Sequence, residues 1–378
     1  MEKPGVTAII LAAGYSERMK QFKPLLDLGG KPVIERVISS FADAGIADIR
    51  VVAGFFKEKL IQALAGLSVR IIINDRYAAG MFSSVQAGVK SLDSSTEAFF
   101  LMPADVPLVR AGTIRYLAEV YNLHRDKILV PIFDGKRGHP PLIAARFAGS
   151  IMDYSGEGGL GGVLNLHNAD ILSLPVPDGN ILLDMDTPED YAALRKKLPR
   201  MDVPTSAECK VIMRDIHAAP DAVIAHCKAV ASVALLIADE MNRCGFNIDR
   251  ELLMSAALLH DLAKGSPDHA MVSAHIIRGM GYPAVAEIMQ THMDIVPGTG
   301  AEVSAAEVLY LADKLVSGDR VTPLQERFNR TVDRYGDKPE AADRIRIRYE
   351  NAINILNRIE ARTGALDFSS RRTAGAQL

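Results

Sequence analysis

The chain has 378 residues, 48% of them hydrophobic and 24% charged, the balance of a soluble globular protein too long for a single core. Two or three domains are therefore expected, and a formal net charge of −3 gives no general attraction to nucleic acid or to an anionic membrane. Three cysteines, Cys209, Cys227 and Cys244, form an odd set without a Cys-x-x-Cys pair, which argues against a disulfide scaffold or a zinc knuckle and suits a reducing cytoplasm.

No apolar run is read as long enough to span a bilayer, and Val6–Leu11 is too short for the core of a signal sequence. That run is short, β-branched and bounded by Pro4-Gly5, so it reads as a buried strand. Two small residues and a glycine follow, then Ser16, Arg18 and Lys23. Small residues let main-chain N–H groups approach phosphate oxygens, and the two cations would offset the charge of a triphosphate. The same spacing also describes an ordinary strand-to-helix turn with two solvated cations.

Leu11 to Leu26 as a whole resembles the signature loop of a nucleotidyltransferase family that includes molybdenum cofactor cytidylyl- and guanylyltransferases and sugar-nucleotide pyrophosphorylases. The resemblance implies that Leu11, Ala12, Ala13, Gly14, Ser16, Arg18 and Lys23 bind a nucleotide, with Arg18 and Lys23 also catalytic. Relatives often carry glycine where this chain has Lys20. Lysine tolerates positive φ poorly, so a different turn is expected there.

Further along, strands are expected at Ile49–Ala53, Val69–Ile73, Ala98–Met102 and Ile128–Ile132. Helices are expected near Pro32–Asp43, Lys57–Ala65, Phe82–Ser91 and Gly112–Asn122. This alternation predicts an α/β fold with a mostly parallel, Rossmann-like sheet, whose ligands lie beyond the carboxyl ends of the strands. Asn74, Gly80, Ser83 and Ser84 fall at one such end, where they read either as a loop with a capped helix or, by the resemblance, as contacts to a base or ribose.

Asp105, held between Pro103 and Pro107 just past an apolar strand, suits Mg²⁺, which is commonly shared between one or two carboxylates and substrate phosphates. In Leu183–Tyr191, Thr187 reads as a cap, Pro188 as a first-turn residue, and Glu189 and Asp190 suit the positive helix end. Asp186 is left over, and the resemblance implies a carboxylate or amide beside the metal at this position; Asp184 is the alternate choice. Gly138–Leu142 resembles an element near the acceptor pocket. In the glycine-dense Ser155–Gly162 loop, relatives carry an aspartate and an arginine where this chain has Glu157 and Gly161.

Two prolines and polar residues mark residues 199–206 as a linker between a nucleotidyltransferase domain at 1–198 and an all-α domain at 207–362, with a loose tail at 363–378. Helices are expected over Asp221–Cys244, Asp249–Ala263, Asp268–Met280, Pro283–His292, Ala301–Ser317 and, with breaks, Pro323–Arg362. Six of the nine histidines lie here. His260-Asp261, with His226 before and Asp313 after, offers imidazole and carboxylate ligands suited to divalent first-row metals such as Fe, Mn or Zn.

This set resembles the HD superfamily of metal-dependent phosphohydrolases over about Ile224 to Leu315. The resemblance implies His226, His260, Asp261 and Asp313 as ligands, His269 and His292 as ligands of a second metal, and Lys264 as a phosphate contact. His217 and His275 read as structural or surface residues.

Together these features predict a cytoplasmic enzyme fused from two parts. The first is an Mg²⁺-dependent transferase moving CMP from CTP, or a nucleotide from another NTP, to a molybdopterin-type or other phosphate acceptor. The second is an HD phosphohydrolase. A molybdoenzyme is the expected protein partner, and neither nucleic acid nor membrane is expected. Three other readings stay open: a sugar- or alcohol-phosphate acceptor, a cofactor-delivery protein with a regulatory HD module, and an HD hydrolase with a nucleotide-sensing first half.

Overall fold

The computed structural model describes residues 5–368 except 17, 301, 336 and 337. It divides into two compact units, Met1–Arg200 and Met201–Leu378.

In the first unit the strands are β1 (Val6–Ala12), β2 (Asp48–Ala53), β3 (Arg70–Ile73), β4 (Ala98–Pro103), β5 (Ile128–Phe133), β6 (Lys136–Arg137), β7 (Leu142–Ala144) and β8 (Ile171–Pro175). Their order is β3-β2-β1-β4-β7-β5-β6, with β8 also pairing with β5. The β3-β2-β1-β4 block is parallel, as are β5 and β8, whereas β7 runs antiparallel between β4 and β5. Strands β1, β2 and β4 are almost continuously buried, as two-sided coverage by helices requires.

Those helices are α1 (Val33–Asp43), α2 (Lys57–Ala63), α3 (Met81–Lys90), α4 (Ala111–Tyr121), α5 (Ala148–Asp153), α6 (Gly159–Leu166) and α7 (Pro188–Lys197). Close seating of α3 depends on Gly88, where an added Cβ would fall 2.4 Å from Ile9 Cγ2. The first turn of α3 is thereby carried to the end of β1. The Arg50 guanidinium, 0% exposed, is held by Asp48, Asp93 and the Ser91 carbonyl, so its burial is fully compensated.

In the second unit, Thr205 caps α8 (Ser206–Val211) through a capping box with Glu208, and a π-helical turn follows over Ile212–Ile216. Helix α9 (Asp221–Arg243) is the hub of the bundle; α10 (Arg250–Leu259), α13 (Ala305–Lys314) and α15 (Pro339–Thr363) pack against it. Helices α11 (His269–Gly279), α12 (Pro283–Met289) and α14 (Leu324–Tyr335) complete the bundle. By length and composition α9 could cross a membrane, which corrects the expectation that no run is long enough. Much of it is enclosed here, with Val230, Ala231, Ala234, Ile237, Ala238 and Met241 in the apolar core.

Two further differences have local causes. The helix expected over Ala301–Ser317 spans only Ala305–Lys314, because Ser304 and Glu307 form a capping box at its start. After it, Val316–Ser317 and Arg320–Val321 pair as a hairpin, β9 and β10, turned at Gly318 with φ +62°. The stretch expected to be loose from residue 363 is tied down at Leu366 and Phe368, which pack on the core; residues 369–378 lie outside the described residues.

Glu307 is 3% exposed and accepts from Gly298 N, Ser304 N and the Arg358 guanidinium. Burial pushes its carboxyl up, but these donors outweigh burial and hold it below the ordinary range. A depressed folded pKa gives stability that is complete above the unfolded value of about 4.3 and is lost as pH falls through the folded one. Glu307→Gln therefore destabilises most at pH 6, by about 2 kcal/mol, with the difference shrinking toward pH 3 in denaturant titrations. A difference that grows on acidification would refute the assignment.

Candidate functional site

The first unit's site forms where β1 and β4 end side by side. Beyond β1, the chain runs through Ala13 and Gly14 into a loop held by two positive-φ residues, Ser16 and Lys20. Lys20 itself adopts the left-handed region that favours glycine, with φ +54°. The Ser16 hydroxyl accepts the Lys23 N–H at 3.2 Å and closes the loop onto Lys23. A Cβ added at Gly14 would meet no protein atom within 4 Å, so the space before it is open to a ligand.

Lys23 is 8% exposed and points inward from a short 3-10 turn. Its Nζ lies 3.3 Å from Asp105 Oδ2 and 2.7 Å from Asp186 Oδ1. Arg18, largely exposed, reaches Asp186 Oδ2 at 2.6 Å. Asp186 is delivered by a main-chain bond, Met185 N–H to the Asp105 carbonyl at 2.9 Å, and by the Thr187–Asp190 capping box. The hydrogen bond from Lys23 and the nearby Arg18 charge hold the Asp186 carboxyl below its usual range. Two carboxylates that converge on one cation, each about a quarter exposed, fit the hard-oxygen ligation that Mg²⁺ takes.

These residues line a cleft of about 390 Å³ with Leu11–Ser16, Tyr77, Gly80, Met81 and Ser84. Asp184 is not among its lining residues. Gly80 holds φ +94° where the chain turns into α3. Asn74 and Ser83 take a different role from the one expected. Both are buried: the Asn74 amide donates to the Ser83 and Ser84 hydroxyls at 2.9 and 3.0 Å, and the Ser83 hydroxyl donates to the Arg76 and Gly80 carbonyls. They shape the 74–84 loop from inside, and neither lines the cleft. Ser84 does line it, although its hydroxyl is taken by Asn74.

A second cavity of about 410 Å³ shares Leu11, Met81 and Pro103 with the cleft. Its walls are Phe82, Val85, Leu101, Val130, Leu160 and Leu164, the glycines of the 158–161 loop, Arg137 and His139. Burial keeps His139 below the usual histidine range, and its Nδ1 has no hydrogen-bond partner among the described residues. Sequence reasoning passed over Arg137, which lines this cavity with the glycines of the 158–161 loop and donates to Asn168 Oδ1 at 3.2 Å. Its signal was faint, one of two adjacent cations on a two-residue strand.

In the second unit, His226 from α9, His260-Asp261 at the end of α10, His269 at the start of α11, His292 after α12 and Asp313 on α13 meet in the bundle. His226 Nε2 lies 3.1 Å from Asp313 Oδ1 and 3.6 Å from Asp261 Oδ2, and His260 Nε2 is 3.6 Å from Asp261 Oδ2. On the other oxygen, Asp261 Oδ1 is 3.2 Å from His269 Nε2 and 3.5 Å from His292 Nε2. Asp261 thus joins two groups, each with ligand atoms close enough to share one ion: His226, His260, Asp261 and Asp261, His269, His292.

Three of these rings are oriented by main-chain oxygens. The Nδ1 atoms of His226, His260 and His292 meet the carbonyls of Gly318, Ala257 and Met289 at 2.7, 2.8 and 2.8 Å. With Nδ1 donating, each Nε2 lone pair faces the cluster, the arrangement that metal-binding histidines use. His260 Nε2 is fully buried without a hydrogen-bond partner, and burial drives that imidazole down to about 3. Burial pushes the Asp261 carboxyl up, but the surrounding imidazoles, His269 and His292 foremost, prevail and hold it far below the carboxylate range. An orphaned imidazole nitrogen within a mixed imidazole–carboxylate set fits divalent first-row metals. Lys264, half-exposed, pairs with Asp261. His217 and His275 stand outside the cluster, the first half-buried and the second exposed.

An open α/β sheet with a small-residue loop facing paired carboxylates is the apparatus of a nucleotidyltransferase, and the helical cluster is that of a metal-dependent hydrolase. The comparisons agree: the chain carries a MobA-like NTP transferase domain, matched by residues 8–171, and an HD domain, matched by residues 223–318. The molybdenum cofactor cytidylyltransferase of Escherichia coli (strain K12) is 29% identical over 197 residues, 51% of this chain and 96% of that protein. The bifunctional protein GlmU of Aquifex aeolicus (strain VF5) is 33% identical over 121 residues, 31% of this chain and only 26% of that protein. Among solved structures, a nucleotidyl transferase from Methanothermobacter thermautotroptrophicus is 24% identical with a TM-score of 0.46, covering 52% of this chain and 98% of that one.

The strained loop residue supplies a test. A non-glycine residue in the left-handed region costs about 1 kcal/mol, so Lys20→Gly raises the stability of the first unit by about that amount in urea unfolding. Unchanged or reduced stability would mean that Lys20 makes a compensating contact.

Proposed function

We propose that the first unit transfers CMP from CTP to the phosphate of a molybdopterin-type acceptor, releasing pyrophosphate. The observation that carries this reading is the convergence of Asp105 and Asp186 on Lys23 at the foot of the open loop. The amides of residues 11–14, Arg18 and Lys23 bind and orient the triphosphate. Asp105 and Asp186 hold Mg²⁺, which when bound supplies charge neutralisation on the phosphates. As the acceptor phosphate oxygen attacks the α-phosphorus and pyrophosphate leaves, Lys23 and Arg18 offset the negative charge that builds on the departing oxygens.

The second cavity receives the acceptor. Its apolar walls and glycine main chain suit the faces and edges of a flat heterocycle, and Arg137 suits its anionic group. A sugar phosphate, with hydroxyls all round, finds only Arg137 and His139 as side-chain partners there. This observation favours the pterin acceptor over a sugar. The second unit is proposed to hydrolyse a phosphoester, with His226, His260, Asp261, His269, His292 and Asp313 holding one or two ions of Fe, Mn or Zn. When bound, these supply Lewis acidity and lower the pKa of water. Lys264 contacts the substrate phosphate once its pairing with Asp261 is relaxed.

The decisive experiment measures pyrophosphate release with CTP, GTP, ATP and UTP against purified molybdopterin and a panel of sugar phosphates. CTP with molybdopterin should be fastest, and Asp105→Asn or Asp186→Asn should lower kcat by about 10²- to 10³-fold, on the scale of losing one transition-state stabilising group. Tight nucleotide binding without pyrophosphate release from any pair would instead support a carrier. In the second unit, Asp261→Asn should remove bound metal altogether, read by elemental analysis, because one carboxylate serves both ligand groups.

A further inference from the structure

Lys314 ends α13 beside Asp313, and it is 5% exposed. An ammonium has three N–H donors and no acceptor, so burial is tolerable only where each donor finds a partner. Its Nζ donates to Asp313 Oδ2 at 2.8 Å and to the main-chain oxygen of His292 at 2.9 Å. It also lies 4.5 Å from the centroid of the Tyr310 ring, whose hydroxyl donates to the Arg348 carbonyl.

Those two acceptors belong to different halves of the cluster. Asp313 sits beside His226 and His260, whereas His292 shares Asp261 with His269. The carbonyl held by Lys314 and the ring held by Met289 are parts of the same residue, so a shift of that turn moves the His292 ligand nitrogen. A neutral or apolar side chain could fill this space without any link. Arg327 offers a built-in contrast, since its guanidinium reaches Asp313 and the Asp313 and Val316 carbonyls, and among the described residues no hydrogen bond joins it to His292.

We infer that Lys314 is a positioning residue that couples the two metal positions, so that filling one alters the affinity of the other. This rests on the reading of the cluster as a two-metal centre. Asp261 joins the positions through their ligand atoms; Lys314 joins them a second time, behind the ligands. An ion that draws Asp313 toward His226 and His260 pulls on Nζ, and the pull is delivered to the turn that aims His292.

The test uses the full chain freed of metal by chelation and titrated with Mn²⁺ by calorimetry, with elemental analysis of stoichiometry and circular dichroism of the fold. Wild type should bind two ions in interacting steps. Lys314→Met should weaken both steps, by about 10- to 100-fold as loss of an outer-shell partner does, and reduce the interaction between them to what the shared Asp261 alone supplies. Arg327→Met should weaken one step only and keep the interaction. Wild-type affinities in Lys314→Met, or a loss confined to one step as in Arg327→Met, would overturn the coupling. Should Lys314→Met fail to fold, Lys314→Gln, which keeps a polar group there without the charge, is titrated in its place and read by the same outcomes; two steps without interaction in wild type would also overturn the coupling. Fewer than two ions in wild type would remove the two-metal reading on which it stands.

Discussion

A single buried ammonium governs the first unit. Lys23 Nζ stands between Asp105, which leaves the sheet at the end of β4, and Asp186, which arrives more than eighty residues later ahead of α7. Without a cation the two carboxylates could not stay at this distance in a partly desolvated cleft, since like charges repel strongly there. Lys23 is therefore the tie that keeps these side chains assembled. Everything around it serves that placement: the Ser16 hydroxyl on its amide, the Met185 bond to Asp105, and Gly88 letting α3 settle close to β1.

The second unit solves the opposite problem, keeping lone pairs free inside a hydrophobic bundle. It does so by spending one nitrogen of each of three histidines on a helix or hairpin carbonyl. The turn of the hairpin at Val316–Val321 carries the Gly318 oxygen that orients His226. Asp313 is compensated from behind by Lys314 and Arg327. Burial alone would raise its carboxyl, yet these cations hold it well below the normal range.

Much of this was legible in the residues. The long mixed signature Leu11–Leu26, the proline-framed Asp105 and the adjacent His260-Asp261 pair are patterns in which residue type and spacing point the same way. Thr187-Pro188 with its acidic first turn marked a helix start and so isolated Asp186. What stayed hidden lacks local periodicity. Strand β7 is three residues long and runs against its neighbours, a fact of tertiary pairing that no window could reveal. Asn74 and Ser83 look like ligand contacts in a loop beside a nucleotide site, but a short polar side chain satisfies a nearby backbone as readily as a substrate. Arg137 and Lys314 owe their positions to residues far away in the chain.

The separation between Lys23 and Asp186 along the chain, 163 residues, has a bearing on how the molecule comes into being. Closing a loop of that size is paid in chain entropy before any reward from the contact arrives, so such pairings form late. An emerging polypeptide that had folded β1 to β4 would already own the small-residue loop and one acidic side chain, yet still lack the other. Assembly of the pair is thus deferred until the last strand of the sheet has emerged, and fragments that end before Asp186 lack the second carboxylate.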